Sequence, residues 1–193
     1  MTGPADILDF WFGPDLAPWQ LERWFRPDPV FDAACRDRFG GQLAPARDGA
    51  LDAWAATPEG ALALLLMLDQ FPRNLHRGTA AAFAADPHAR AVARQAVLRD
   101  GHDLALPCTA RCFLYLPFEH SEEAADQDLS VALFEGLRDD PVHAAPGASI
   151  AYAWAHRAVI RRFGRFPHRN AILGRESTAE ERAYLAEDNA FAG

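Results

Sequence analysis

The chain has 193 residues, half of them hydrophobic and about a quarter charged, with a net charge of −8; such a chain can bury a core and is globular in composition. The acidic balance argues against a nucleic-acid binder working by general attraction, and the longest apolar run, Gly60–Leu68, is about half a membrane span. All 19 basic side chains are arginine, which excludes Schiff-base chemistry, pyridoxal phosphate attachment and a lysine-type phosphate loop.

The chain opens without a basic segment and apolar run, so no signal peptide is expected. A first apolar stripe, Ile7, Phe10 and Trp11, is followed by a short segment, Trp19–Phe25. Asp28-Pro29 caps a helix expected to reach about Leu43, and Thr57-Pro58 caps one expected to reach about Phe71. The latter is apolar on every side over Gly60–Leu68 and should be central. Asp86-Pro87 predicts a helix to about Arg99, and Pro107–Leu116 a further one that Pro117 should interrupt. Ser121 is the expected cap of a helix to about Leu137. Asp140-Pro141 marks a weaker start, since Pro146-Gly147 follows at once. The patterning then gives a helix over Ser149–Phe163, and Ser177 with Glu180 fits a capping box for a last one. Alternating β-branched patterns are scarce and alanine and leucine dominate. An all-α fold is expected, as a single domain over residues 1–193, because no linker or composition break divides the chain.

Two helix ends echo each other. Gln70-Phe71-Pro72-Arg73-Asn74 closes one helix, and Arg165-Phe166-Pro167-His168-Arg169-Asn170 follows another. Such paired corners suit stacked helical hairpins.

Arg157, Arg161, Arg162, Arg165, Arg169 and Arg175 fall together with His156 and His168 and no intervening acid. Guanidinium groups grip carboxylates and phosphates through paired hydrogen bonds, so this stretch is a candidate anion site. The plainer alternative is pairing with the acid-rich segment Glu119–Asp140. Helical phase sets Arg157, Arg161 and Arg165 on one face; Arg162, Arg169 and Asn170 fall elsewhere and are the better site candidates. Glu119 and His120 sit in a tight connection, where a carboxylate beside an imidazole suits general-base work; a hydrogen-bonded turn is the alternative. His156 lies on the apolar side of its helix and reads more readily as a core histidine. No His spacing matches a metal motif, and Cys108 and Cys112, four residues apart, specify no zinc site. No metal or cofactor is expected. Glycine-rich phosphate loops and the Gly-x-Ser-x-Gly elbow are absent, and the odd count of three cysteines suits a reducing cytoplasm.

Ile7-Leu8-Asp9-Phe10-Trp11-Phe12-Gly13, Leu68–Asn74, Phe118-Glu119-His120-Ser121-Glu122 and Arg162–Gly174, followed by Ser177-Thr178 with Glu180 and Glu181, occur in an order that resembles the family called domain of unknown function 924. The resemblance spans nearly the whole chain. It implies helical hairpins stacked as a compact tetratricopeptide-repeat-like domain, and it brings no activity or cofactor with it.

These readings combine into one expectation. The two Phe-Pro corners and the Glu-His-Ser turn converge on a pocket for a small anionic ligand. Glu119, His120 and His168 are its candidate catalytic residues; Asp69, Gln70, Arg73, Asn74, Arg162, Arg169 and Asn170 are its candidate ligand-binding residues. Hydrolysis or transfer on a phosphate- or carboxylate-bearing substrate is the reaction class. The rivals are a non-catalytic helical module clasping an acidic peptide, and polar motifs that only lock helix corners. Neither nucleic acid nor membrane is an expected partner.

Overall fold

The computed structural model describes residues 2–16 and 24–187. The expected Trp19–Phe25 segment falls mostly outside them. Among the described residues there are helices and no strand, and no helix is long and apolar enough to cross a membrane. The chain gathers into two compact units, Met1–Arg77 with Ala81–Pro117, and Gly78–Ala80 with Phe118–Gly193.

The first unit contains α1 (Pro4–Phe12), α2 (Pro29–Phe39), α3 (Leu43–Arg47), α4 (Pro58–Leu65), α5 (Phe71–Leu75), α6 (Asp86–Ala93) and most of α7 (Cys108–Glu119). Asp28 caps α2 by accepting from the Val30 and Phe31 amides, and Thr57 caps α4 by accepting from Gly60. Both ends are local matters, which is why the sequence shows them. The long helix expected from Pro58 is continuous in course but changes pitch. A π-helical turn over Leu66–Gln70 separates α4 from α5, and every residue from Gly60 to Pro72 is buried. A Cβ at Gly60 would stand 2.0 Å from the Trp54 carbonyl oxygen, so only glycine allows this approach. Around α4 and α5 the core is aromatic. The Phe71 ring lies 5.2 Å from Trp11 and 5.3 Å from Phe39, and Trp11 meets Phe113 edge-on at 5.8 Å. Each such side chain, fully buried, contributes about 1.5–3 kcal/mol.

Several expected boundaries shift. The helix from Pro29 ends at Phe39, and Gly40–Gln42 tightens into a 3₁₀ turn before α3. Asp86 is the first residue of α6 and caps nothing, because its carboxylate binds Arg73. That helix ends at Ala93 and continues as a π-helical turn, Arg94–Arg99. Pro117 does not interrupt α7, which runs on to Glu119; proline removes one helical donor without ending the helix here.

The second unit holds the end of α7, then α8 (Ala124–Glu135), α9 (Pro141–Ala144), α10 (Ser149–Phe163) and α11 (Ala179–Leu185). α8 packs on α10, and Val159, Ile160 and Phe166 form a core that Phe163 and Tyr184 flank. α8 begins at Ala124, not Ser121, because Ser121 Oγ is engaged otherwise: it donates to Asp126 and accepts from the Glu123 amide. α10 has the expected bounds and ends at Gly164, whose φ of +70° is the left-handed conformation that glycine adopts without strain. The last helix is capped one residue later than expected, by Thr178 with Glu181. Ser177 instead accepts a hydrogen bond from Asn170 Nδ2 at 3.0 Å.

Candidate functional site

The two Phe-Pro corners belong to different units. In the first, Asp69 and Gln70 lie on the π-helical turn, where Gln70 Nε2 donates to Asp69 Oδ2 at 2.5 Å. Arg73 Nη1 donates to the Asp69 carbonyl at 2.8 Å, and both its Nη atoms reach Asp86, at 3.0 and 3.2 Å. Asn74 donates to Asp32, which also holds Arg77. Asp69, Gln70 and Arg73 thus share one network with Asp86, and Asn74 belongs to another with Asp32 and Arg77.

The second unit places Glu119 at the C-terminal end of α7, His120 just after it, His156 on α10, and His168 and Arg169 on the 3₁₀ turn Pro167–Arg169. Glu119, His156 and Arg169 are buried, and His120 and His168 are half-buried. Glu119 Oε1 lies 3.3 Å from His156 Nδ1, which also faces the Tyr152 carbonyl at 2.9 Å. The Tyr152 carbonyl, as acceptor, puts the proton on Nδ1 and leaves the lone pair at Nε2. Phe166 is the hub of the group. Its ring meets His156 edge-on at 5.6 Å and lies 5.6 Å from His168, while the Arg169 guanidinium stands 4.4 Å over it. Arg169 Nη1 donates to the His120 carbonyl at 2.9 Å, and the His120 ring lies 6.1 Å from that of His156.

Burial governs the protonation of His156 and His168, and the cationic neighbours add to it. Burial, reinforced by His120, Arg169 and His168, holds His156 well below its usual range, although the Tyr152 carbonyl pulls the other way. Burial and then Arg169 lower His168 to about 4, against a smaller pull from Glu122. Both imidazoles are therefore neutral near pH 7.

Around this cluster the arginines pair with acids. Arg157 binds Asp128 at 2.5 Å, Arg165 forks onto Glu181 at 2.6 and 2.8 Å, and Arg175 grips Glu122 at 2.7 and 3.0 Å. Arg162, a site candidate, is exposed and pairs with Glu180 at 3.0 Å. Asn170 donates to Ser177 and, at 3.4 Å, to Glu181, and so braces the corner. Glu122 Oε1 also accepts from the Phe166 amide at 2.8 Å, fixing the loop that carries His168 and Arg169.

Of the sequence candidates, Glu119, His120, His168 and Arg169 share this region with a residue read as core, His156. Nothing local in the sequence marks it; the only sign was a histidine on an otherwise apolar helical face. One donor atom each from Glu119, His120 and His156 lie within 4.8 Å of one another, so these residues are able to hold a metal ion. Local spacing does not show such a set, because α10 supplies its third member from 36 residues away.

A family model described as a bacterial protein of unknown function, DUF924, matches residues 7–189. The chain belongs to this family. No curated protein matches it. Among solved structures it is similar to a protein of unknown function, ATU0120 from Agrobacterium tumefaciens, with 45% identity over 95% of this chain and 96% of that one, and a TM-score of 0.83. The DUF924 match takes in the whole Glu119–Arg169 cluster.

Proposed function

We infer that the second unit binds a small phosphate- or carboxylate-bearing ligand beside His168 and Arg169, and moves a proton with Glu119 and His156, as a hydrolase or transferase does. One observation carries this reading: a buried carboxylate lies 3.3 Å from an imidazole that shares one aromatic ring with a guanidinium and a second imidazole, and a third imidazole lies 6.1 Å from the first. A structural corner needs hydrogen bonds, which Asn170, Glu181 and Arg165 supply nearby. It does not need three histidines crowded against an arginine, whose charge opposes protonation of His156 and His168. An arriving anion offsets that charge, so binding and proton uptake support each other. The first-unit corner is left out of this site, because Arg73 is already held between two carboxylates. The chain works in the cytoplasm on this reading, which its three cysteines, none of them in a disulfide, support.

The test is thermal stabilisation by inorganic phosphate and by a panel of phosphorylated and carboxylated metabolites. Wild type is expected to gain melting temperature with at least one of them, and Arg169→Ala and His168→Ala to lose that gain while staying folded. A panel that stabilises wild type and both variants alike removes the site.

A further inference from the structure

We propose that Glu119, His120 and His156 form a site for one divalent ion of the zinc type, at the reactive end of the anion site. The proposal rests on the reading above that this cluster is reactive, and it names the agent that activates a water or orients the anion there.

Geometry comes first. Ligands about 2.0–2.2 Å from a tetrahedral ion stand roughly 3.3–3.6 Å apart. An ion at Nδ1 would meet the Tyr152 carbonyl, which that nitrogen faces at 2.9 Å, so His156 offers the lone pair of Nε2 and its Nδ1–H bond to Tyr152 orients the ring. All three donors lie within 4.8 Å. His120, half-buried and beyond the end of α7, closes the remaining distance by side-chain rotation.

The backbone of the two adjacent ligands is also held from outside. Gln127 Nε2 donates to the Glu119 carbonyl at 2.6 Å, and Arg169 Nη1 donates to the His120 carbonyl at 2.9 Å. These contacts fix the backbone from which both side chains project. The donor set selects the ion: two imidazoles with one carboxylate suit zinc and its neighbours, whereas calcium and magnesium take oxygen ligands. Three protein ligands leave a fourth position for water or an anion. Arg169 disfavours a bare cation but complements an anion seated on it.

The experiment uses the full chain, stripped with a chelator and titrated with Co²⁺. One equivalent is expected to bind, with the intense visible bands of a tetrahedral nitrogen–oxygen site and without the sulfur charge transfer that Cys35, Cys108 or Cys112 would give. Glu119→Gln and His120→Ala, each with unchanged far-ultraviolet circular dichroism, should weaken uptake by about tenfold or more. His156→Ala adds a third variant, and the first two decide the matter if it fails to fold. Absence of uptake, sulfur-dominated uptake, or uptake that the variants leave intact overturns the proposal. Phosphate separates it from the earlier reading. Stabilisation by phosphate in a stripped chain that takes no cobalt removes the metal and keeps the anion site; cobalt uptake without any anion effect keeps the metal and removes the anion site.

Discussion

Arg73-Asn74 in the first unit and Arg169-Asn170 in the second follow the same Phe-Pro pair, yet their surroundings differ in charge. Arg73 lies within a continuous helical course, and its guanidinium spans Asp69 and Asp86, both buried. Arg169 follows a helix that Gly164 has ended, on a 3₁₀ turn opened by Pro167, and it meets a backbone carbonyl and an aromatic face. The first arginine neutralises two carboxylates that would otherwise be charged in a low dielectric. The second raises the positive potential around three imidazoles. A short motif therefore states which groups are available; the charges packed against them determine the use.

The largest effect should come from Arg73→Met, which takes the shared cation away from Asp69 and Asp86. A loss of about 3–5 kcal/mol is expected in denaturant unfolding, as for other broken buried pairs. Arg169→Met removes a hydrogen bond to a carbonyl and should cost about 1–3 kcal/mol. Equal losses would erase the contrast. Glu181→Gln comes between the two. It weakens the fork to Arg165 and the cap at Thr178, for about 2–3 kcal/mol.

The same contrast extends to pH. Hydrogen bonding to Arg165 holds Glu181 at about 2 against an ordinary 4.5. Its folded pKa is the lower one, so its contribution is complete above about 4.5 and is lost as pH falls toward about 2. His168 loses stability in a different window. Its folded pKa of about 4 lies under an unfolded 6.5, so the unfolded chain binds the extra proton between them and stability falls as pH drops through that range. Melting temperature against pH should show both slopes, with Glu181→Gln flattening the acid one and His168→Asn the milder one. The smallest effect belongs to Arg162→Ala, whose exposed pair with Glu180 contributes no more than about 1 kcal/mol.

What could be read from the sequence follows the range of the forces involved. Asp28 and Thr57 cap their helices because a cap needs partners only two or three residues away. Asp86 resembles them, but an arginine 13 residues earlier takes its carboxylate. Ser177 and Thr178 both stand three residues before a glutamate, so local pattern allowed two registers, and Asn170 settles it by engaging Ser177. All-helical character came from periodicity summed along the chain. The Glu119–His156 contact joins residues far apart in the second unit's sequence, and no short-range rule contains it. His120, His168 and Arg169 were legible as candidates because polar groups at helix ends stand out; Phe166, the ring that joins His168 and Arg169 to His156, looked like any buried aromatic.

Glu122 has a consequence for how a ligand would be received. One carboxylate holds the Phe166 amide and both Arg175 nitrogens, so the segment bearing His168 and Arg169 is tethered at both ends before anything arrives. A guest meeting a loop already ordered has little conformational entropy to remove. Replacing Glu122 with glutamine should therefore slacken recognition while every residue that touches the guest remains in place.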